Sequence, residues 1–408
     1  MKVQSGASPE GGFGGFGGFG GFGGFGGFGG FGGFGGFGGG QNSPLATEAL
    51  ITNRDGIVGV PVPMDPGFLP SAPFGSGDLS RLSADVRASI FAFELGSRIG
   101  FSADGDDQNV AKVWRLETEI GEGAPTAKYF PLVQMTAPKI SQFGDQLGFL
   151  FSYADLRQDR GPEILSQLSS PAPFLSTIAF VDWARTPHTL ELLATAQRFA
   201  NFVEMRVKYA LSCKRPIVFS PQVQPMIPTP THGTLPSGHA TEAFLLARIL
   251  WKVIRASQVP QYAEVQNDRS IWGDMFMRQA ARIAINRTVA GVHFPVDSVA
   301  GAILGLTLAD YLAGRCTYSS HGPGEYERTK AIFEGTDFDP FDDFHWHLLY
   351  DPKTDKQPAR SPNTGAPPWM KVKTRDIPNT VSEAPALQWL WEKAVAEWVE
   401  PEPIIQAR

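Results

Sequence analysis

Residues 236–256 read PSGHATEAFLLARILWKVIRA, and this stretch carries the clearest structural signal in the chain. Ser237 can cap a helix here, because its hydroxyl can accept a hydrogen bond from the first turn, and apolar side chains then recur to about Ala256. The free N–H groups of that first turn and the helix dipole favour an anion, which Gly238 would let approach the backbone. A Pro-Ser cap also begins many helices that bind nothing, so the stretch alone leaves both interpretations open.

Patterns typical of helices lie on both sides of this stretch. Thr186 and Pro187 have the residue types of a helix N-cap and first position, and Pro216 ends the helical pattern that they begin. The spacing of apolar side chains predicts helices over residues 78–99, 141–156, 187–213, 271–290, 295–313 and 384–399. Strand-like alternation is scarce, so we predict an all-α protein with a helical bundle at its core and irregular extensions.

The chain divides into four predicted regions. Residues 1–45 form a tail in which Gly-Gly-Phe is repeated nine times, and we expect it to be disordered because glycine loses much conformational entropy on folding. Residues 46–185 are expected to pack, as helices and loops, on a helical core at 186–315, and residues 316–408 form a C-terminal extension. The tail has two open interpretations, a tether and a segment for self-association or surface adhesion.

Composition argues against several classes of protein. The 408 residues are 42% hydrophobic and 19% charged, enough for a sizeable core, and the net charge of −6 argues against a surface that coats nucleic acid. Charged residues such as Arg248 and Asp310 interrupt the most apolar windows, so we predict no transmembrane span. The N-terminus lacks the apolar region of a Sec signal, so the expected location is the cytoplasm or the exterior by a non-Sec route. Cys213 and Cys316 are too few for a disulfide framework, and a single bridge between them stays open.

Two further segments carry groups suited to an oxyanion. Lys208 and Arg215 are seven residues apart, two helical turns, so both can lie on one face near a helix C-terminus, where basic residues are also common without a ligand. His293 and Asp297 are one turn apart across the start of the helix that Pro295 opens. The carboxylate could hold the proton of one ring nitrogen and orient the other into a cleft, although such a pair is usually a polar contact and nothing more.

The order of these segments resembles the three-part signature of the phosphatidic-acid-phosphatase type 2 (PAP2) superfamily, which includes vanadium-dependent haloperoxidases and bacterial acid phosphatases. The signature in this chain comprises Lys208-x6-Arg215-Pro216, then Pro236-Ser237-Gly238-His239, then Arg287-x5-His293-x3-Asp297. The match covers about 90 residues, with Asn286 where many members have serine before the arginine. The resemblance implies the helical-bundle fold of that superfamily and places its catalytic core at residues 186–315.

The resemblance also implies a role for each signature residue. The groups that would bind the equatorial oxygens of phosphate or vanadate are Lys208, Arg215, Ser237, Gly238 and Arg287. His293 would be the apical group, either as a nucleophile on phosphorus or as the one protein ligand of vanadium, and Asp297 would orient it. His239 would be the acid-base residue at the opposite apex. One site can serve both chemistries because trigonal-bipyramidal vanadate mimics the transition state of phosphoryl transfer.

Within the superfamily, we expect a vanadium-dependent haloperoxidase. The cofactor would be vanadate, with phosphate or sulfate in its place when vanadate is absent, and the partners would be hydrogen peroxide, a halide and an organic small-molecule nucleophile. The long regions around the core and the lack of a transmembrane span resemble haloperoxidases more than secreted or membrane phosphatases. His232, seven residues before His239, occupies a position where bromoperoxidases have histidine, which favours bromide or iodide. A loop histidine that only faces solvent is the open alternative there.

Two other functions stay open from the sequence. The same residues would serve a soluble acid phosphatase that acts through a phosphohistidine, and a non-catalytic oxyanion-binding scaffold would need fewer of them. A homodimer is expected from the resemblance alone, because helical-bundle relatives often pair. His345 and His347 lie beside several aspartates, but no ligand spacing matches a known metal loop, so we interpret them as part of an acidic, aromatic surface turn.

Overall fold

The structure is a computed structural model of the chain, and the residues that it describes fall into several stretches. They are residues 44–57, 79–103, 109–119, 124, 126–263, 265–266, 269–318, 329–353, 355–357, 367–374, 380–381 and 383–399. The Gly-Gly-Phe repeat, for which the sequence predicts disorder, lies outside the described residues.

Most of the described chain is helical. The α-helices are α1 Pro44–Ile57, α2 Ala84–Gly96, α3 Ile140–Asp145, α4 Leu147–Ala154, α5 Arg157–Ser166, α6 Ala172–Leu175, α7 Pro187–Leu211, α8 Pro216–Phe219, α9 Gly238–Ala256, α10 Ile271–Val289, α11 Pro295–Thr317 and α12 Pro385–Ala396. Every stretch that was predicted to be helical from apolar spacing contains a helix, and residues 141–156 hold two, separated at Gln146.

The predicted helical core is confirmed, but the protein is not purely all-α, because a mixed sheet accompanies the helices. The strands are β1 Ile99–Ala103, β2 Val110–Glu119, β3 Thr126–Thr136, β4 Val265–Gln266, β5 Arg269–Ser270, β6 Thr329–Glu334, β7 Met370–Thr374 and β8 Thr380–Val381. The main sheet has the order β1-β2-β3-β6-β7 with β8 also paired to β2, while β4 and β5 form a separate two-stranded sheet. In the main sheet β3 and β6 are parallel and the other pairs are antiparallel.

Strand β2 is difficult to recognise from the sequence, because it contains buried charged residues. Ala111 and Val113 are buried on one face of the strand, and the same face continues with Arg115 and Glu117, which are buried as well. Nε of Arg115 and Oε1 of Glu117 form an ion pair of 3.6 Å. Because charged residues occupy two inward positions, the sequence lacks the apolar-polar alternation of a half-buried strand.

The sheet joins the regions that flank the core in sequence. β3 precedes the core and β6 follows it, and Val133 pairs with Ala331 between the two strands. Met135 and Phe333 are buried on these same strands, which contact α11. The two extensions therefore pack together against one side of the helical core.

α9 contacts α7, α10 and α11, and two glycines of α11 determine how close that last contact is. A Cβ on Gly301 would lie 2.5 Å from the carbonyl oxygen of Ser237, and one on Gly305 would lie 2.3 Å from that of Thr241. These distances exclude any larger side chain. The start of α9 is therefore fixed against α11 by direct backbone packing.

α11 is the one helix among the described residues with the length and apolar composition of a membrane span. The mean hydropathy of its most apolar window is 1.4, and 94% of that window is buried inside the protein. Such burial is typical of a core helix in a helical bundle.

Candidate functional site

The signature residues lie at the ends of four helices that meet in one place. Lys208 is in the last turn of α7, Gly238 opens α9, Arg287 is in the last turn of α10, and Asp297 is in the first turn of α11. Arg215 immediately precedes α8. The side chains of Lys208, Arg215, Arg287 and Asp297 are all buried, so the protein surrounds three cations with low-dielectric material.

Arg215 and His293 make the central contact of the site. Nη1 of Arg215 donates to Nε2 of His293 at 3.0 Å and to the carbonyl oxygen of Val292 at 2.9 Å. Because a guanidinium group only donates, Nε2 carries the lone pair and the ring proton lies on Nδ1. Burial, and then the charge of Arg215, hold the pKa of His293 well below its ordinary value, so the ring is neutral. His293 is thus neutral, and its Nε2 could act as a nucleophile or as a metal ligand once Nη1 of Arg215 releases the lone pair.

Asp297 holds this form of His293 in place. Its Oδ2 accepts from His293 Nδ1 at 3.0 Å, from the backbone N–H of Phe294 at 2.9 Å and from the hydroxyl of Thr234. Burial raises the pKa of Asp297 to about 6, and the hydrogen bonds from Thr234 and Phe294 oppose that rise. The carboxylate therefore fixes both the orientation of the ring and the nitrogen that carries the proton.

His239 lies in the first turn of α9, and its ring is held from the end of α5. Nε2 lies 2.9 Å from the carbonyl oxygen of Gln167. A carbonyl oxygen can only accept, so Nε2 carries the proton and Nδ1 the lone pair. Burial, followed by the charge of Arg287, lowers the pKa of His239 to about 3. His239 is therefore a neutral ring with one basic nitrogen.

Arg287 is completely buried and has donors without a protein partner. Its Nη2 donates to the carbonyl oxygen of Ile164 at 3.2 Å and to Oε1 of Gln167 at 3.0 Å. Its Nε and Nη1 have no hydrogen-bond partner among the residues that the structure describes. Burial lowers the pKa of Arg287 to about 10, so the group stays charged at neutral pH. A buried cation with unused donors is costly unless a ligand accepts from it, which indicates an anion site.

Lys208 points toward the loop that precedes α9. Its Nζ lies 3.4 Å from the carbonyl oxygens of Gly233 and Thr234 and donates to that of Pro236. Burial, and then the charge of Arg215, lower the pKa of Lys208 to about 8. At neutral pH Lys208 is mostly charged, and it fixes the loop that leads into α9.

The start of α9 supplies backbone N–H groups as further hydrogen-bond donors, besides the side chains of Lys208, Arg215 and Arg287. Oγ of Ser237 accepts from the N–H of Ala240 at 3.4 Å, as the sequence predicts for an N-cap, and the N–H of Ser237 donates to the carbonyl oxygen of Asp297 at 2.8 Å. The N–H groups of Gly238 and His239 belong to the first turn and have no acceptor within the helix. Together with the unused donors of Arg287, this donor set suits a tetrahedral oxyanion, and both phosphate and vanadate fit its chemistry.

Two residues that hold the site are missed by sequence reasoning. Gln167 accepts from His239 with its backbone oxygen and from Arg287 with its side chain, so it fixes two functional groups at once. Thr234 donates to Asp297, and its Oγ1 lies 3.2 Å from Nδ1 of His293. Gln167 has no motif and lies 120 positions before Arg287. Thr234 could have been suspected only from its place in the loop that leads to Ser237.

Asn286, the departure from the family pattern, faces α5. Its Nδ2 donates to Oε1 of Glu163 and to Oε1 of Gln167, both at 2.9 Å, and its Oδ1 accepts from Arg160 at 3.0 Å. Both the nitrogen and the oxygen of the Asn286 side chain are thus hydrogen-bonded to other side chains of the protein. Asn286 therefore supports Arg287 indirectly, through the shared acceptor on Gln167.

His232 lies against Arg215. Its carbonyl oxygen accepts from Nε of Arg215 at 3.1 Å, and its Nδ1 lies 3.1 Å from Nη2 of the same residue. The residue is partly exposed. The interpretation that His232 only faces solvent is therefore wrong, because the ring contacts the cation that touches His293.

The structure answers whether the two cysteines form a disulfide bond. Cys213 and Cys316 are both free and buried, which excludes the bridge between them. Burial raises the pKa of Cys213 to about 12, so its thiol is inert at neutral pH. Within the described stretches, no group of three or more His, Cys, Asp and Glu side chains could hold a metal ion, around His345 and His347 or elsewhere.

Comparison with known proteins assigns the core. A family model described as the PAP2 superfamily matches residues 190–314, and this segment contains every signature residue from Lys208 to Asp297. A search of curated proteins found no match to the chain. Gln167, which holds His239 and Arg287, lies before the matched segment. The helical core of this chain, residues 190–314, belongs to the PAP2 superfamily.

Proposed function

We propose that this protein is a vanadium-dependent haloperoxidase. It would use hydrogen peroxide to oxidise a halide at histidine-bound vanadate, and the resulting hypohalous-acid-type electrophile would halogenate an organic substrate. Support comes from the three buried cations and from a neutral His293 whose Nε2 carries a lone pair. Bound vanadate would supply a Lewis-acidic centre that activates peroxide.

The protonation state of His239 is the observation that carries the proposal. In a haloperoxidase, the residue at this apex first takes a proton from hydrogen peroxide, which requires a neutral ring. In a phosphatase, it first gives a proton to the leaving alcohol, which requires a charged ring. The Nε2 proton of His239 is committed to Gln167 and its pKa is lowered to about 3. His239 therefore starts in the neutral form that the haloperoxidase role requires, with its lone pair on Nδ1, and the negative charge of a bound oxyanion would raise the basicity of that nitrogen.

The remaining side chains would bind the oxyanion and keep His293 unprotonated. Arg287 would direct Nε and Nη1 to two oxygens, a geometry for which a guanidinium group is well suited. Burial and the charge of Arg215 disfavour protonation of His293, and Nη1 of Arg215 would have to release Nε2 before that nitrogen could bind the oxyanion. Asp297 would prevent rotation of the ring, because it holds Nδ1 at 3.0 Å.

We further propose that His232 favours bromide or iodide over chloride. Its partly exposed ring contacts Arg215. A substitution at His232 would therefore alter the surroundings of the guanidinium group that contacts His293. The position of this histidine relative to His239, which resembles the bromoperoxidases, supports the same preference.

A PAP2-type phosphatase is the second candidate, because the lone pair on His293 Nε2 suits attack on phosphorus as well as it suits binding of vanadium. Asp297 would stabilise the charged ring that such an attack creates. His239 would have to gain a proton before the leaving group departs, and its lowered pKa disfavours that step.

One comparison on a single preparation separates the two functions. Protein freed of oxyanions is divided, and one part is loaded with orthovanadate and cleared of the excess. We expect this part to brominate a phenolic dye only when bromide and hydrogen peroxide are both present, and the other part to hydrolyse p-nitrophenyl phosphate slowly or not at all. The control variant His239→Gln should keep the bound vanadium and lose bromination. Rapid ester hydrolysis that vanadate merely inhibits would reject the haloperoxidase.

A further inference from the structure

Glu204 lies in the wall of the oxyanion pocket, although no sequence motif includes it. It precedes Lys208 by one turn of α7 and is 2% exposed. A Cβ built on Gly238 would lie 2.7 Å from Oε1 and 3.3 Å from Oε2 of Glu204. The carboxyl group thus packs directly against the backbone of the residue that opens α9, where the oxyanion is expected.

Among the described residues, no cation forms an ion pair or a hydrogen bond with the carboxyl group of Glu204. Lys208 donates to the carbonyl oxygens of the loop before α9, and Arg215 donates to His232, Val292 and His293. Oε2 of Glu204 is buried and has no hydrogen-bond partner among the described residues. An ionised carboxylate in this position would be costly by itself and would repel a bound oxyanion. A protonated carboxyl group has neither disadvantage and offers one O–H donor.

We propose that Glu204 binds the oxyanion as a neutral carboxylic acid, by donating its O–H to one of the oxygens. A carboxylic acid kept neutral by its surroundings is an effective hydrogen-bond donor in an anion site. The inference rests on the oxyanion pocket of the proposed function and is the same for a haloperoxidase and a phosphatase. It predicts that oxyanions bind more tightly on the acid side of neutrality, where Glu204 carries its proton.

The charged groups around Glu204 are consistent with this assignment. Burial raises the pKa of Glu204 to about 7, and the charges of Lys208 and Arg215 oppose that rise. Glu242, one turn beyond Gly238 on α9, accepts from Gln197 at 3.0 Å. Burial, and then Glu204, raise the pKa of Glu242 well above its ordinary value. Burial therefore favours the neutral form of both carboxyl groups, and a charge on Glu204 disfavours ionisation of Glu242.

Sulfate is a suitable probe, because it keeps the same charge across the neutral range whereas phosphate does not. We expect calorimetric titration of the wild-type protein to show sulfate affinity falling about twentyfold between pH 6 and pH 8, with about tenfold from loss of the proton of Glu204 and about twofold from loss of the charge of Lys208. In Glu204→Gln, whose amide donates at every pH, the fall should shrink to about twofold, the part that comes from Lys208. The matched variant Glu242→Gln should keep the fall of about twentyfold.

Proton uptake provides a second readout in the wild-type protein, independent of how well a variant folds. Calorimetry in buffers of different ionisation enthalpy should show that Glu204 takes up about half a proton from the buffer when sulfate binds at pH 7. A wild-type protein that binds sulfate with no proton uptake, or a Glu204→Gln variant with the full fall of about twentyfold, would overturn the role of Glu204 and leave the pocket intact. Failure of the wild-type protein to bind sulfate at either pH would overturn the pocket and this inference together.

Discussion

Replacing Gln167 by methionine should weaken oxyanion binding without disturbing His239. Methionine has a similar length and no comparable acceptor or donor, so the change removes Oε1 and also Nε2, which donates to Glu163 at 3.0 Å, and keeps the backbone carbonyl oxygen that holds His239 at 2.9 Å. Nη2 of Arg287 then keeps a single acceptor, the carbonyl oxygen of Ile164 at 3.2 Å. Arg287 would be less firmly oriented while its unused donors stay in the pocket.

The size of the effect follows from the three hydrogen bonds that the side chain of Gln167 makes. The bonds from Arg287 to Oε1 and from Nε2 to Glu163 involve charged partners, and the loss of each should cost about 2 kcal/mol, whereas the bond from Asn286 is neutral and should cost about 1 kcal/mol. We therefore expect the free energy of unfolding to fall by about 5 kcal/mol. Loss of orientation at Arg287 should weaken phosphate binding about 10- to 100-fold.

Urea unfolding measures the first quantity and calorimetric titration with phosphate the second. Gln357→Met is a matched control, because Gln357 is also buried and its Nε2 donates to Thr307 at 3.0 Å. Thr307 lies about 15 Å along α11 from Asp297. This control should lose about 1 kcal/mol of stability and bind phosphate normally. A Gln167→Met protein that is destabilised but binds phosphate as tightly as the wild type would refute the positioning role.

Four further substitutions test other contacts. His293→Ala should lose bound vanadium, because it removes the one protein ligand, whereas His232→Ala should keep the metal and change the ratio of bromide to chloride oxidation; metal analysis and halide-specific rates check both. The pKa of His239 is about 3 in the folded protein and about 6.5 in the unfolded chain, so between these values only the unfolded chain binds the proton, and stability falls by about 1.4 kcal/mol per pH unit below pH 6.5. Between pH 7 and pH 5, the unfolding free energy of His239→Gln should therefore fall by about 2 kcal/mol less than that of the wild type. Equal falls in the two proteins would contradict a neutral buried ring. Gly305→Ala places a Cβ 2.3 Å from the carbonyl oxygen of Thr241 and should cost about 3 kcal/mol or prevent folding, whereas an unchanged melting temperature would show that the helices can separate.

The helices of the core could be predicted from the sequence because their signals are local. Ser237 caps α9, and Pro187 and Pro295 occupy the first positions of α7 and α11, where the fixed backbone angle of proline suits a helix. The charged residues of the pocket could be predicted because their spacing matches a family signature. The contacts between them, such as the bond from Arg215 to His293, required the structure.

The sheet and the supports of the pocket could not be predicted, for two physical reasons. In β2 the buried pair Arg115 and Glu117 replaces the apolar residues by which an inward face is identified. Gln167 contacts His239 and Arg287, which lie 72 and 120 positions further along the chain. A single glutamine belongs to no motif by which its role could be recognised. Local patterns carry no record of such long-range partners.

The close packing of Gly301 and Gly305 against α9 has a consequence for engineering this protein. It joins the helix that carries His239 to the helix that carries Asp297, so the spacing between the two imidazole rings cannot be tuned by small shifts of either helix. The opposite wall, formed by the end of α5, contacts the pocket residues His239 and Arg287 through the side chain of Gln167 and the carbonyl oxygens of Ile164 and Gln167. A mutant library meant to broaden the range of accepted organic molecules should therefore vary this wall and leave Gly301 and Gly305 unaltered.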